Sequence, residues 1–405
     1  MAQFILGRRH MGRYPLAGHW TLEASTGTLY SQPYRPGVYT IYVYNADGTK
    51  LARFGSDMGD NPVVSLEFEI NEHGCGAFSL ILGQALDVTV GYGQRIDVHL
   101  FDDPLPWYSG LVLEKPLAGS TARTLEYSGH GYVCQLDNIL VDQDYASTDI
   151  ATVVKSIVIN LVEPNTGILY RGSKIQTTGF VATGLRFQNA TATEALQELC
   201  EFANNFRYGV DATREFWFKR IDTDVNESAR FTVGRHLSSY KPKESIDGVL
   251  NKILVKSSNT EEDGSTSILA TVQDAASQAA YGLREACKTI PSALTEADGQ
   301  QWGLVQLSRY KDPIASAEIG GVQLWYVTPA GEYAVRRLAP EGMARITSED
   351  GTVYGDYPIS KIKYKINSNG IACSMSLGST THDFEAIVNN MQRQIRQAEL
   401  IKDMG

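Results

Sequence analysis

No stretch of this 405-residue chain approaches about 18 uninterrupted apolar residues, the length a membrane-spanning helix needs. Its opening, M-A-Q-F-I-L-G-R-R-H, lacks an apolar core followed by a small-residue cleavage site. The expectation is a protein with no membrane span that does not leave the cell by the usual secretory route. Cysteine is scarce: Cys75, Cys134, Cys200, Cys287 and Cys373 are scattered, with no C-x-x-C pair. An odd, dispersed set reads as buried free thiols in a reducing cytosol, not as a disulfide framework or a metal site. The seven histidines (His10, His19, His73, His99, His130, His236, His382) never fall at H-x-x-x-H or H-E-x-x-H spacing, so zinc has no local support. G-x-S-x-G, P-loop and dinucleotide fingerprints are all missing. Gly91-Tyr92-Gly93 opens a strand with no helix behind it and reads as a turn. Positive charge is also short: 36 Lys and Arg against 46 Asp and Glu give a formal −10. That balance argues against a general nucleic-acid binder, which would carry a basic patch. It leaves room for a repulsive wall along which DNA slides without sticking.

Carboxylates placed for catalysis are equally hard to find. Asp102-Asp103, followed by Pro104, looks like a pair, but strand neighbours point to opposite faces, so the two read as a loop cap. Glu67 and Glu69 share a strand face opposite Leu66, Phe68 and Ile70, which a solvated face explains. Glu261-Glu262-Asp263-Gly264 is an acidic turn without the spaced ligands of a calcium loop. No catalytic residue, metal or cofactor is expected.

What the chain does have is β signal. With 43% hydrophobic and 20% charged residues it belongs among well-folded proteins, and its length suggests about two to four domains. Twenty-one tyrosines suit β-rich surfaces and interfaces. Residues 1–35 are polar and locally basic, either an arm ordered against a neighbour or a floppy terminus. From 36 to 140 strand patterns follow closely: Val38–Tyr44 before the turn Asn45-Ala46-Asp47-Gly48, then Val64–Ile70, Arg95–Phe101, Trp107–Leu113 and Thr124–Ser128. Residues 141–235 change character. Thr148–Val162 has helical apolar spacing, Thr191-Ala192-Thr193-Glu194 is a capping box, and a hairpin follows through Val210–Lys219. Between 236 and 378 the pattern is a hairpin over 249–272, two helices, then strands at Gln323–Val327, Ala344–Ile346, Ile359–Ile366 and Ala372–Leu377. Residues 379–405 form a last helix. Its apolar positions, Phe384, Ile387 and Met391 among them, roughly fit a coiled-coil repeat, or else dock on the protein's own domain or another partner.

The segment Ala270–Pro313 carries the most specific pattern, Asp274-x-x-Ser277-x-x-x-Tyr281-Gly282-x-Arg284-Glu285. It reads as an apolar helical segment, a glycine break, a charged pair and a second helix starting at Thr295-Glu296-Ala297-Asp298. Side chains at i and i+1 of a helix do not face each other, so Arg284 and Glu285 would bond separate partners. This pattern resembles a signature of the hub proteins of tailed-phage baseplates and tail tips, the late-control and minor tail protein type, related to hubs of contractile injection systems. Three further stretches resemble that family in the expected order. They are Gly74–Leu80 with Gly93–Val98, Tyr108–Val112, and the helix and hairpin from Thr191 to Asp211.

Over about residues 60–380 the resemblance implies an α+β, β-rich fold: two tube-like antiparallel β-barrel domains with an inserted α/β domain, followed by the C-terminal helix. It implies a homotrimer whose six barrels make a pseudo-six-fold ring, joining a hexameric tail tube or distal tail protein to a three-fold tip or spike. The ring would anchor the tape-measure protein and surround a lumen for DNA, in a virion tail assembled in the host cytoplasm. Asp274, Ser277, Tyr281, Gly282, Arg284 and Glu285 carry over as a fold marker and interface candidates, not as catalytic groups. Two rival readings stay open. A carbohydrate-binding receptor would show exposed aromatic clusters on loops, whereas Tyr39, Tyr42, Tyr44, Trp325 and Tyr326 sit inside strand patterns. A cell-wall hydrolase would need a convergent site built from distant residues.

Overall fold

In the computed structural model, residues 38–83, 89–117, 123–182, 185–203, 205–260, 266–289, 296–327 and 333–378 are described. The N-terminal arm, the acidic turn at 261–264 and the last helix with Phe384, Ile387 and Met391 lie outside them.

Alternation drives the first third of the chain. Strands β1 (Tyr39–Tyr44), β2 (Lys50–Gly55), β3 (Val63–Asn71), β4 (Gly74–Gly83), β5 (Arg95–Leu100), β6 (Tyr108–Glu114) and β7 (Thr124–Gly131) follow one another. The turn between β1 and β2 closes through Gly48 N–H to Asn45 O at 2.9 Å, with Gly48 at φ 82° where a β-carbon would strain. Along β3, Leu66 and Phe68 are buried, and along β5 so are Ile96, Val98 and Leu100. These residues sit on one side of the sheet because successive side chains point to opposite faces.

The middle of the chain builds a second core. A 3₁₀ helix (Tyr132–Asn138) leads to β8 (Leu140–Tyr145), β9 (Thr148–Asp149) and helix α1 (Ile150–Ile157), which continues as a π turn, Val158–Val162. Asp149 caps α1 by accepting from Ala151 N–H. After β10 (Val181–Ala182) and β11 (Leu185–Thr191), α2 (Ala192–Phe202) starts with the predicted capping box. Thr191 and Glu194 satisfy each other's backbone N–H at 3.2 and 2.8 Å. Ala195, Leu196, Leu199 and Phe202 are buried against α1 and the hairpin β12 (Phe206–Val210) and β13 (Phe216–Arg220).

Strands β14 (Val225–Thr232) and β15 (Ser239–Ser245) come next, then the hairpin β16 (Lys252–Thr260) and β17 (Thr266–Gln273). Helix α3 (Ala275–Tyr281), strand β18 (Glu285–Thr289) and helix α4 (Glu296–Tyr310) complete this segment. Trp302 and Leu307 of α4 share one buried cluster with Ile253, Val255 and Val272 of the hairpin, and that cluster is the second core. Helix α4 therefore packs on the β16–β17 hairpin and joins the core of the middle segment. The closing strands are β19 (Ile314–Gly320), β20 (Trp325–Val327), β21 (Tyr333–Val335), β22 (Met343–Thr347), β23 (Val353–Asn367) and β24 (Gly370–Gly378).

The fold is β-rich, with one large, mainly antiparallel sheet. Its strand order is β15-β19-β24-β23-β3-β4-β7-β6-β5-β1-β2, with β12, β13, β14 and β22 attached off that path. Among the described strands neither expected barrel closes; the path is open, and its two halves join by antiparallel pairing of β3 with β23. Alternation marks a strand's buried face but not its neighbour, which is why the join could not be foreseen. One side of this sheet covers a single core that includes Leu66, Phe68, Leu80, Ile362, Tyr364 and Met375. The other side carries rows of polar side chains. Lys361, Lys363 and Lys365 stand opposite Asn71, Glu69 and Glu67, and the row continues from Glu67 to Ser79 and from Ser79 to Ser128.

Candidate interaction site

The signature segment is held together by a residue outside it. Asn251 is fully buried just ahead of β16. Its N–H donates to Arg284 O (2.9 Å), and its side-chain Nδ2 donates to Gly282 O (2.7 Å). Its Oδ1 accepts from Arg284 N–H (2.8 Å), and its main-chain oxygen accepts from Asp274 N–H (2.9 Å) and Gln278 Nε2 (3.2 Å). A buried amide must find partners for its donors and acceptors, and here they are the two ends of α3. Nothing in the run L-N-K-I-L-V distinguishes this asparagine in sequence; only the fold gives it a role.

The signature residues each have a place around that clamp. Asp274 caps α3 by accepting from Ser277 N–H at 2.9 Å and pairs with Lys311 at 3.2 Å. The Ser277 bond first, then Lys311, holds the Asp274 carboxyl below its ordinary range. Ser277, itself buried, donates its hydroxyl to Lys311 O at 2.5 Å, fixing the end of α4. Gly282 ends α3 at φ 76°, where other residues are strained, and its N–H returns to Gln278 O. The charged pair is not on a helix. Arg284 lies in the loop and Glu285 opens β18, which pairs in parallel with β16. That non-local pairing overrides the helical reading of the segment. Arg284 donates to Ile246 O (3.2 Å) and Tyr281 O (3.4 Å), while Glu285 binds Lys252 at 2.5 Å. Ala270–Gln273 is the end of β17, within the hairpin that the pattern places over 249–272. The start of the second helix at Thr295 lies outside the described residues.

Inward from β18, Lys288 meets the ring of Tyr310 at 3.9 Å and donates to Gln306 Oε1 at 3.2 Å. Burial lowers its ammonium from an ordinary 10.5 to about 8, with Glu201 opposing and Arg309 assisting. Between pH 8 and about 10.4 the unfolded chain then binds more protons than the folded one, so stability rises with pH there. Lys288→Met lacks this rise. Comparing urea midpoints at pH 7.5 and 10, wild type should gain on the variant by on the order of 1–2 kcal/mol. Parallel pH curves for the two proteins would refute the assignment.

A second buried centre joins the sheet's two halves. Asp103 caps its loop by accepting from Leu105 N–H at 2.9 Å, and accepts from Trp107 Nε1 at 2.7 Å. Arg337, from the far half of the chain, donates to the same carboxylate at 2.9 Å and also to Pro106 O. The Asp103 side chain is 2% exposed. Nearby, a cleft of about 580 Å³ runs between the β12–β13 hairpin and segment 337–342, bridged by Lys219–Glu341, with Arg207 pairing to Glu72 of the β3–β4 turn at 3.0 Å on its wall. The five cysteines are free. Cys75 and Cys373 are buried, and burial lifts the Cys75 thiol to about 12, but Cys287 is exposed on β18, against expectation. No group of three or more His, Cys, Asp or Glu side chains among the described residues is arranged to hold a metal.

No family model and no curated protein matches the sequence. Solved structures do. The 43 kDa tail protein of prophage MuSo2 from Shewanella oneidensis aligns at TM-score 0.60 and 14% identity, over 84% of this chain and 98% of that one. A tail protein from Neisseria meningitidis MC58 aligns at 0.57 and 10% identity, over 84% and 96%. Prophage tail protein gp18 from Listeria monocytogenes EGD-e aligns at 0.55 and 11% identity, over 88% and 99%. The chain has the fold of phage tail proteins. In that tail-protein fold the α3 clamp and the Asp103–Arg337 pair are structural joints: each ties strands or helices distant in sequence. No helix of the described residues is long and apolar enough to cross a membrane.

Proposed function

We propose that this chain is the structural hub of a phage tail tip or baseplate. The observation that carries the reading is that three tail proteins, two of them from prophages, share its fold over 96–99% of their own length. The order of elements supports it too: strands β1–β7, then the helix-bearing middle of the chain, then the closing strands β19–β24. Three copies form a ring in which each contributes two barrel-like units, six in all. The ring matches a hexameric tail tube or distal tail protein on one side and a three-fold tip or spike on the other. It anchors the tape-measure protein and leaves a channel through which DNA is ejected. Its role is mechanical and non-enzymatic, in a virion tail assembled in the host cytoplasm. Asp274, Ser277, Tyr281, Gly282, Arg284 and Glu285 serve as the fold marker or at a subunit boundary, and Phe384, Ile387 and Met391 are further interface candidates.

Native mass by light scattering, with negative-stain class averages of the same sample, tests this. Three copies of 44.5 kDa give 133.5 kDa, and the expected particle is a ring of that mass with a central hole. A compact monomer at every concentration would overturn the ring.

A further inference from the structure

A groove of about 860 Å³ opens at the start of β1, where β3 begins against the end of β23 and Ser65 stands opposite Asn367. Tyr39, Val64 and Phe101 line it from the first half of the chain, and Val322, Trp325 and Asn369 from the second. None of the described residues on its walls is charged, in a chain with 20% charged residues. Rings and amides take their place. Tyr39 is buried, and Asn61 donates to its hydroxyl at 2.6 Å. Asn367 and Asn369 bring two more amides from the β23–β24 turn.

An uncharged groove of rings and amides suits a ligand with apolar side chains and open carbonyls. A polyproline II segment is such a ligand. It has no internal hydrogen bonds, so its carbonyls stay open to donors, and three residues per turn put prolines at i and i+3 on one edge. The chain carries such a segment, Pro33-Tyr34-Arg35-Pro36, just ahead of the groove. Val38 is fixed at the rim, where its carbonyl accepts from Phe101 N–H at 2.8 Å. The two prolines lie two and five residues before it, about 6 and 16 Å of polyproline II chain. We infer that the groove takes this segment from its own chain, with Pro33 and Pro36 seated against the rings and Arg35 turned to water. A neutral sugar would also suit rings and amides, but the tether holds the arm at the groove at about millimolar effective concentration. Docked there, the arm straps the first half of the chain to the second. The inference does not depend on the hub reading.

The test uses the full-length protein and a labelled peptide of residues 28–37. Pro33→Ala/Pro36→Ala frees the groove of the chain's own arm, so this variant should bind the peptide at least about tenfold tighter than wild type. Val64 is 49% exposed and Asn369 is exposed, so a charge at either position reaches the groove without entering the core. Adding Val64→Lys or Asn369→Lys should abolish the gain. In otherwise wild-type protein the same two changes should speed chymotrypsin cleavage after Tyr30 and Tyr34 by at least about tenfold, read by the mass of the N-terminal fragment. Two separate rim variants, each checked by thermal unfolding, keep a folding defect in one from deciding the matter. No peptide binding to the double-proline variant at about 1 mM overturns the inference, because the arm would then stay mostly undocked on its tether. Equal binding by that variant and wild type, or cleavage that the rim changes leave alone, also overturns it. Protection that fades on dilution gives the groove to a neighbouring copy's arm. Retention of the double-proline variant on a neutral glycan array, without peptide binding, gives it to a sugar. Either result removes the chain's own arm from the groove.

Discussion

Asp103→Ala should lower the unfolding free energy by about 3–5 kcal/mol, because it strands Arg337 beside a buried site with no carboxylate to meet it. The loss exceeds that of an exposed ion pair. The Asp103 side chain is 2% exposed and its carboxylate accepts from three donors: Leu105 N–H, Trp107 Nε1 and Arg337. Removing it leaves the indole N–H without that partner and loosens the join between the sheet's two halves. Urea midpoints at constant slope measure the loss. A cycle with Arg337→Ala separates coupling from truncation, since the pair should lose less than the sum of its singles. A single-variant cost under about 1 kcal/mol would mean that the pair behaves as an exposed one.

Gly129→Ala should cost more than about 3 kcal/mol or leave the protein insoluble. A β-carbon at Gly129 would stand 1.9 Å from Leu111 O and 2.6 Å from the Phe78 ring, where β7 lies against β6. Backbone on one side and a buried ring on the other leave nothing flexible to yield. Gly48→Ala is the contrast. Its φ of 82° is unfavourable for alanine, but nothing lies within 4 Å, so its cost should stay near about 1–2 kcal/mol. Thermal unfolding of both variants makes the comparison. Equal effects would show that backbone conformation, not close approach, governs these glycines.

Local chemistry was legible in the sequence, and long-range pairing was not. The Asn45–Gly48 turn, the alternation of β3 and β5 and the Thr191 capping box depend on neighbours within a few residues, and each formed where its pattern lay. β15 was missed because Ser-Tyr-Lys-Pro-Lys-Glu-Ser reads as a loop. It is an edge strand at the end of the sheet path, where Pro242 and its flanking lysines discourage further pairing. β18, Glu-Ala-Cys-Lys-Thr, has little intrinsic β signal and exists through parallel pairing with β16. The signature pattern marked the right segment but gave its inner structure wrongly, because its organiser, Asn251, lies 23 residues ahead of Asp274 (274 − 251). Asp103 caps its loop as the sequence suggests, but its bond with Arg337 spans 234 residues of chain.

The pairing of β3 with β23 has a consequence for synthesis. Lys365 finds Glu67 across 298 residues of chain. At about 5–20 residues per second a ribosome takes roughly 15–60 s to cover that interval. Throughout it, the emerged β3 has β4 on one flank and no native partner on the other. An open strand edge is where chains mispair with one another. Lys and Glu along β3 and β23 then serve nascent chains before they serve the finished particle. Glu67 and Glu69 on every unfinished copy repel the same edge on its neighbours until the lysines arrive.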